Sequence, residues 1–152
     1  MHFFQLWVNL PAANKFDAPH FQEAPAHSRP VVTLCEEPRV VASVLHGTVA
    51  GQSSPTVCEV VPWTYIDFMA AAGGRIEYSA PAGMVSRFVY VYRGSVEISG
   101  QKVDSGTVAQ LGQTEGEVFE AIAGESGGDL LFVAGACPLK LPCLLGIRLT
   151  VI

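Results

Sequence analysis

The side chains that commonly do chemistry in proteins are scattered along this sequence, and few stand at a spacing that would bring them together. All of the histidines, His2, His20, His27 and His46, lie near the start of the chain and form neither a His-x-His nor a helical His-x-x-x-His pair. Metal sites need ligands that converge on one point, so we interpret these histidines as solvated or hydrogen-bonded. The sequence predicts no metal ligand, no catalytic residue and no cofactor-binding residue in this chain.

The cysteines are the next candidates for chemistry. Cys35, Cys58, Cys137 and Cys143 form no Cys-x-x-Cys pair. A redox pair of Cys137 and Cys143 is the alternative to plain core thiols, but two prolines hold the segment between them extended, so we favour core thiols. Free thiols in a chain large enough to bury a core indicate a reducing, intracellular compartment.

Among the carboxylates, Asp67 is the one placed where a charge is costly, because Ile66 and Phe68 flank it in an apolar segment. A buried carboxylate there needs a hydrogen-bond partner or the cation of Arg87. The other carboxylates, Asp129 among them, are interpreted as solvated groups at strand edges and turns. Neither a Gly-x-Ser-x-Gly elbow nor a phosphate-binding P-loop is present in the sequence.

Short runs rich in β-branched and aromatic residues must position these groups. The predicted strands are 31–35, 39–45, 56–61, 64–69, 75–79, 87–92, 96–98, 107–111, 117–122 and 130–134, separated by turn signals such as Ala72-Gly73-Gly74, Arg93-Gly94, Ser99-Gly100 and Gly127-Gly128. In 87–92 both alternating faces are apolar, so this strand is expected to be covered on both sides. No segment keeps a helical apolar period. Short strands without helices between them predict an antiparallel sandwich or barrel.

Composition agrees with one β domain and excludes several classes of function. A chain of 152 residues fits one domain, and 15 glycines with 10 prolines leave no room for long helices. Hydrophobic residues make up 49% and the mean hydropathy is +0.33, which is more apolar than a self-contained soluble domain requires. The net charge is -5 with dispersed Lys and Arg, so direct nucleic-acid binding is not expected. Pro138, Lys140 and Pro142 interrupt the apolar segment 130–152, so a membrane span is not expected either.

Three segments resemble one known family. Gln5-Leu6-Trp7-Val8-Asn9-Leu10-Pro11, followed by Pro19-His20-Phe21-Gln22, is similar to the interdomain segment of pirin-like proteins, which are members of the cupin superfamily. Tyr65-Ile66-Asp67-Phe68 adds to the resemblance, and Ala134-Gly135-Ala136-Cys137-Pro138-Leu139 looks like the family's closing strand. The resemblance implies an all-β fold, an antiparallel cupin-type β-barrel or jelly roll with an extended N-terminal arm.

The resemblance also implies an arrangement of domains. Pirin-like proteins usually contain two cupins, and the matched segments belong to the second. We therefore expect residues 1–30 to be a linker or arm, 31–136 a cupin β-barrel and 137–152 an atypical or truncated C-terminal tail, because the family's Gly-Pro-Phe segment and closing helix do not follow Pro142. The family's iron, held by three histidines and a glutamate of the first cupin, is expected to lie outside this chain.

The spacing of the first cupin motif provides a test for metal. In G-x5-H-x-H-x4-E-x6-G, two histidines and a carboxylate meet at one mouth of the barrel. Counted from Gly74, the ligand positions fall on Ala80, Ala82 and Arg87, and Gly94 closes the pattern. A methyl group offers no donor atom, and an arginine cannot coordinate a cation. We therefore predict a cupin domain that holds no metal cofactor.

Three hypotheses for the function remain. The resemblance implies a structural or regulatory module of the cytoplasm or nucleus, in a family linked to iron-dependent co-regulation of transcription. The enzymatic alternative is an oxidoreductase of the quercetin 2,3-dioxygenase type, active in its own right or when paired with a metal-binding half. The third is a metal-free pocket for a small organic acid anchored by Arg87, although we favour a salt-bridged Arg87 in the barrel.

Partners are expected at the two ends of the chain. Phe3, Leu6, Val8 and the 144–152 tail are apolar, and uncovered they would exceed the apolar patch that a soluble monomer usually exposes. We therefore expect a protein partner or self-association through the arm and the tail. Trp7 is expected to anchor the arm by burying its ring edge against the barrel.

Overall fold

The computed structural model describes residues 4–112 and 116–136, together with the backbone of 147–151. These residues form the strands β1 Phe4–Val8, β2 Val31–Glu36, β3 Arg39–His46, β4 Thr48–Val49, β5 Gln52–Ser53, β6 Trp63–Ala70, β7 Arg75–Tyr78, β8 Ser86–Ile98, β9 Gln101–Asp104, β10 Val108–Gln110, β11 Phe119–Gly135 and β12 Ile147–Val151, with short 3-10 turns at Ala12–Asn14 and Ala26–Ser28. The pairing is antiparallel, so the predicted all-β class is confirmed. Within this part of the chain, no helix is both long and apolar enough to cross a membrane.

Two long strands hold the molecule together. The main sheet has the order β10-β8-β11-β6-β3-β2, with β7 added on β11 and β9 on β8. The first residues of β11 pair with β7, its last residues pair with β6, and β8 accompanies it on both stretches. Strands that change partners in this way turn a corner between two sheets, which encloses the core.

Glycines make this corner possible, at positions that the sequence had marked as turns. Gly94 has a φ of +65°, and a Cβ atom placed on it would lie 2.1 Å from the carbonyl oxygen of Gly127. The register of β11 against β8 shifts between Ala123 and Gly128. The predicted turns at 93–94 and 127–128 are therefore wrong, because these residues form bulges within continuous strands.

The strands β3, β6, β8 and β11 are apolar on both faces. Val89, Val91 and Phe132 point into the enclosed core and are fully buried. On the opposite face Phe88 and Tyr90 are also buried. The prediction that 87–92 is covered on both sides is confirmed.

The predicted strand at 56–61 is wrong, since these described residues form no strand. The side chain of Gln22 takes the place of a neighbouring strand here: its Nε2 donates to the Val57 carbonyl at 2.6 Å and its Oε1 accepts from the Val57 N–H at 2.9 Å. The apolar pattern predicted a strand, but an arm amide satisfies the backbone instead.

The N-terminal arm and the C-terminal tail pair with each other as strands. β1 pairs antiparallel with β12, in a register that sets Phe4 opposite Val151 and Val8 opposite Ile147. The ring of Phe4 lies 5.8 Å from that of Tyr90 and 5.6 Å from that of Tyr92, centroid to centroid. β1 therefore covers the outer face of β8 through Phe4.

The predicted role of Trp7 is wrong. Its side chain is 62% exposed, whereas Leu6 and Val8 on the alternate face are half-buried. Strand alternation gives one face to the barrel, and Phe4 lies on that face. Phe3, Cys137 and Cys143 fall outside the described residues.

Candidate functional site

The structure shows where the three cupin ligand positions lie. Ala80 packs partly buried against the core, and Ala82 lies exposed in the loop between β7 and β8. Arg87 lies in β8, only 5% exposed, on the strand face that also carries Val89 and Val91. Within 4–112 and 116–136, no group of three or more His, Cys, Asp or Glu side chains is arranged to hold a metal ion. The family's iron does not fit these positions, and the absence of bound metal stays a prediction.

Arg87 forms hydrogen bonds with two residues that lie between β10 and β11. Its Nε donates to the Gly112 carbonyl at 3.0 Å, and its Nη1 donates to the Glu117 carbonyl at 2.8 Å. Its Nη2 forms an ion pair with Glu117 Oε2 at 2.8 Å. The prediction of a salt-bridged Arg87 is confirmed. Because its donors are engaged, the guanidinium is poorly placed to anchor an organic acid.

Aromatic rings fill part of the barrel interior. The ring of Tyr78 lies 5.8 Å from that of Phe68 and 5.2 Å from that of Phe132. Phe132 in turn lies 5.1 Å from Phe119. These separations are those of favourable aromatic pairs, so the rings contribute packing to the core.

His46 is the histidine that the fold buries. Its Nδ1 lies 2.9 Å from Thr56 Oγ1, and its ring stacks on Trp63 at 4.2 Å. Burial lowers the pKa of His46. His20 and His27 are exposed on the arm. The interpretation of His46 as hydrogen-bonded is confirmed, and His2 lies outside the described residues.

Asp67 has a partner, but not the predicted cation. Tyr92 Oη donates to Asp67 Oδ1 at 2.8 Å across the sheet. Burial raises the pKa of Asp67, and the neighbouring Asp129 raises it further, while Tyr92 and Arg29 act in the opposite direction. Burial, with the charge of Asp67, raises the pKa of Tyr65 to about 12. Arg87 does not reach this face, because it points to the other side of β8.

Asp129 lies in a different environment from the one that the sequence predicts. It was expected to be solvated, yet it is only 3% exposed. Its Oδ2 pairs with Arg93 Nε at 2.7 Å, whereas its Oδ1 is buried and has no hydrogen-bond partner among the described residues. The sequence Gly127-Gly128 before it is typical of a turn, so Asp129 was placed at a solvated strand end, whereas it lies within a central strand. The expectation of a solvated Asp129 is wrong.

Comparison with solved structures defines the class of protein. The chain superposes on a Geobacillus kaustophilus protein with a TM-score of 0.74 and 26% identity, covering 90% of this chain and 54% of that chain. It superposes on a quercetin 2,3-dioxygenase from Acinetobacter baumannii with a TM-score of 0.75 and 24% identity, covering 86% of this chain and 44% of that chain, which supports the fold. With this architecture and the spacing from Gly74 to Gly94, the protein is a β-barrel of the cupin class.

Comparison of sequences gives the family. No family model matches the chain. A pirin-like protein of Caulobacter vibrioides is 34% identical over 124 residues, which is 80% of this chain and 44% of that protein. Pirin of Mus musculus is 31% identical over 123 residues, covering 78% and 41% respectively. A Vibrio cholerae protein provisionally named a quercetin 2,3-dioxygenase is 31% identical over 137 residues, covering 88% and 47%. The chain is thus a pirin-like cupin, and it spans about half the length of these relatives.

Proposed function

We propose that this chain is a cupin module without a metal centre, equivalent to the second, C-terminal cupin of a pirin-like protein, and that its role is structural or regulatory. One observation carries the proposal. At the spacing where a cupin motif supplies its ligands, this chain has Ala80, Ala82 and Arg87, and Arg87 is engaged by Gly112 and Glu117. Iron-dependent chemistry would then belong to a separate metal-binding half.

Exposed aromatic side chains support a role through protein contacts. Phe16 is 99% exposed and Phe21 is 88% exposed on the arm, and Trp7 in β1 is also exposed. Bare aromatic rings are characteristic of surfaces that a partner covers. We propose that the arm contacts a metal-binding cupin half or a second copy of this chain.

The regulatory form of this role is the one that the resemblance to pirin-like proteins implies. Because the net charge is -5, such a role would act through proteins rather than through DNA phosphates. The thiols of Cys35 and Cys58 are free, which supports a reducing, intracellular compartment.

A second candidate function is oxidation of quercetin, and the name of the Vibrio cholerae relative favours it. The test is to incubate the chain with Fe(II), oxygen and quercetin and to follow the loss of the flavonol absorbance. We expect no turnover above that of Fe(II) alone. A parallel reaction with a metal-binding pirin-like protein serves as the positive control. Iron-dependent turnover by this chain alone would overturn the proposal in favour of the enzyme.

A further inference from the structure

The strand β2 forms an open edge of the main sheet. It stands last in the order β10-β8-β11-β6-β3-β2, and among the described residues it pairs with β3 alone. Every residue of β2 is exposed or half-buried, and Val31 at its start is 64% exposed. A strand edge of this kind presents N–H and C=O groups that can pair with a strand of another chain.

The backbone groups of Val31 and Thr33 face this open edge. The Pro30 carbonyl accepts from the Val44 N–H at 2.9 Å, so the backbone of Pro30 is directed towards β3. Successive residues of a strand direct their backbone groups to opposite sides, so those of Val31 and Thr33 are directed away from β3. Within the described part of the chain, these outward groups have no hydrogen-bond partner.

A bulge in β2 changes which later residue faces the edge. The register against β3 shifts between Thr33 and Cys35, where Cys35 lies opposite Val40. Leu34 is therefore an extra residue in the strand. The alternation resumes after it, with the backbone of Cys35 directed towards β3 and that of Glu36 directed to the open edge.

Two copies of β2 fit each other in an antiparallel register centred on Val32. This register sets Val31 of one copy opposite Thr33 of the other, and both residues have their backbone groups at the edge. Pro30 lies opposite Cys35, at positions whose backbone groups face β3. The missing N–H of Pro30 therefore removes no hydrogen bond between the two copies.

Opposite charges meet at both ends of the same register. Because Leu34 is an extra residue, Glu36 of one copy falls opposite Arg29 of the other. Neither charge forms an ion pair with any residue of 4–112 or 116–136, and Arg29 acts on Asp67 through space, partly offsetting the rise in the pKa of that carboxyl. Opposite charges across two strands are stabilising, whereas a parallel alignment would set like charges side by side.

We propose that β2 is a dimerisation edge, at which a second copy of this chain pairs antiparallel about a two-fold axis at Val32, with Arg29 and Glu36 paired at each end. The contact uses the same strand on both copies, as a two-fold interface requires. The two main sheets thereby continue into one another. This edge is separate from the exposed phenylalanines of the arm.

Sedimentation equilibrium of charge variants tests the proposal, with Phe16 and Phe21 both replaced by serine so that the arm does not contribute. We expect this chain to dimerise at about 100 µM, which detects a micromolar dissociation constant. Glu36→Arg should weaken the dimer about tenfold, because it turns two attractive cross-strand pairs into repulsive ones.

Two further variants make the charge test specific. Glu37→Arg makes the same change of charge one position along, outside the pairs, and should have a much smaller effect. Adding Arg29→Glu to Glu36→Arg reverses both charges and should restore the dimer. A monomer at the concentration given above, equal weakening by the variants at 36 and 37, or a failure of the reversal to restore association would overturn the proposal.

A cysteine cross-link tests the register in chains whose charges are unchanged. On the two-fold axis the two copies of residue 32 form a non-hydrogen-bonded pair with Cα atoms about 4.5 Å apart, within the range that a disulfide spans. Val32→Cys should therefore give a disulfide-linked dimer under mild oxidation. Val108→Cys, at an exposed position on β10, should behave like the unmodified chain. A yield for Val32→Cys no higher than that for Val108→Cys would contradict the proposed register.

Discussion

Counted from Gly74, Arg87 falls where a cupin motif has its carboxylate, and the structure shows what this side chain does instead. Arg87 is buried and donates to two backbone carbonyls, those of Gly112 and Glu117. Gly112 and Glu117 are themselves exposed, so these bonds hold a surface segment to a buried guanidinium. The residue is therefore structural, and its removal should be felt in stability.

Arg87→Met should lower the free energy of unfolding by about 1.5–3 kcal/mol, since it removes the charge-assisted hydrogen bonds from a buried guanidinium to Gly112 and Glu117. Glu117→Gln is the matched control: Glu117 is half-exposed, and loss of its ion pair alone should cost at most about 1 kcal/mol. Urea denaturation of both variants gives the comparison. Equal stability of the two variants would contradict the structural role of Arg87.

Asp67 should make stability depend on pH. Burial raises the pKa of Asp67 above its usual value of 3.8, so the folded state binds its proton more tightly than the unfolded state does. The resulting contribution is present below pH 3.8 and is lost as the pH rises through the raised pKa. Asp67→Asn should therefore be more stable than the unmodified chain at pH 7, with a difference that shrinks towards pH 4.

The measurement is chemical denaturation of both proteins across this pH range. Asp104→Asn, at an exposed carboxylate, is the control and should show no comparable trend. A difference for Asp67→Asn that grows as the pH falls would contradict this expectation.

Some properties of single residues could be predicted from the local sequence. Others depend on contacts that only the three-dimensional fold creates. The ion pair of Arg87 was expected from the sequence and is present, whereas the assignment of the ligand positions by spacing stays a prediction. The bond between Tyr92 and Asp67 joins residues 25 positions apart, so it depends on how β6, β11 and β8 align. The burial of Asp129 depends on the same alignment, and a local pattern does not contain it.

At the scale of elements, β1 is the strand that the sequence placed least well. Its residues were assigned to a linker, and the alternation of its side chains was recognised, but the wrong aromatic was chosen as the anchor. Phe4 contacts Tyr90 and Tyr92, while Trp7 points away from the barrel. The alternation of amide and aliphatic side chains does not show which face of β1 packs on the barrel, because that depends on where β1 lies in the fold.

Alanine substitutions distinguish the two aromatics. Phe4→Ala should cost about 2–3 kcal/mol of unfolding free energy, because it removes two aromatic contacts and partly buried area. Trp7→Ala should cost less than about 0.5 kcal/mol, the usual range for a surface position. Thermal and urea unfolding of the pair measure this. A larger loss for Trp7→Ala than for Phe4→Ala would show that the arm packs through its other face.

The main strands were predictable because their apolar residues repeat with strand periodicity and are bounded by glycines. At Gly94 and Gly127-Gly128 the glycines led to the wrong prediction of a turn, because the strands there continue through a sharp bend. A glycine indicates that the backbone needs freedom, but it does not say whether that freedom serves a turn or a bulge.

For the molecule as a whole, the exposed apolar side chains predict association. Phe16 and Phe21 are almost entirely bare, and apolar burial contributes about 25 cal/mol per Å². We expect light scattering at about 100 µM to show species larger than a monomer. Replacing both phenylalanines with serine should reduce the association, whereas Val108→Ser, an exposed position on β10, should not. A monodisperse monomer under these conditions would contradict the expectation.

By spacing from Gly74, two alanines and an arginine stand where a cupin motif has its ligands, so we propose that this barrel has no metal centre of its own. The most direct test is elemental analysis of the purified chain after refolding in excess Fe(II), with Mn(II) and Zn(II) in parallel and a metal-binding pirin-like protein as the control. We predict metal at far below one ion per chain after desalting, with the control fully loaded. One tightly held ion per chain would contradict the account and show that the true ligands lie elsewhere in the sequence.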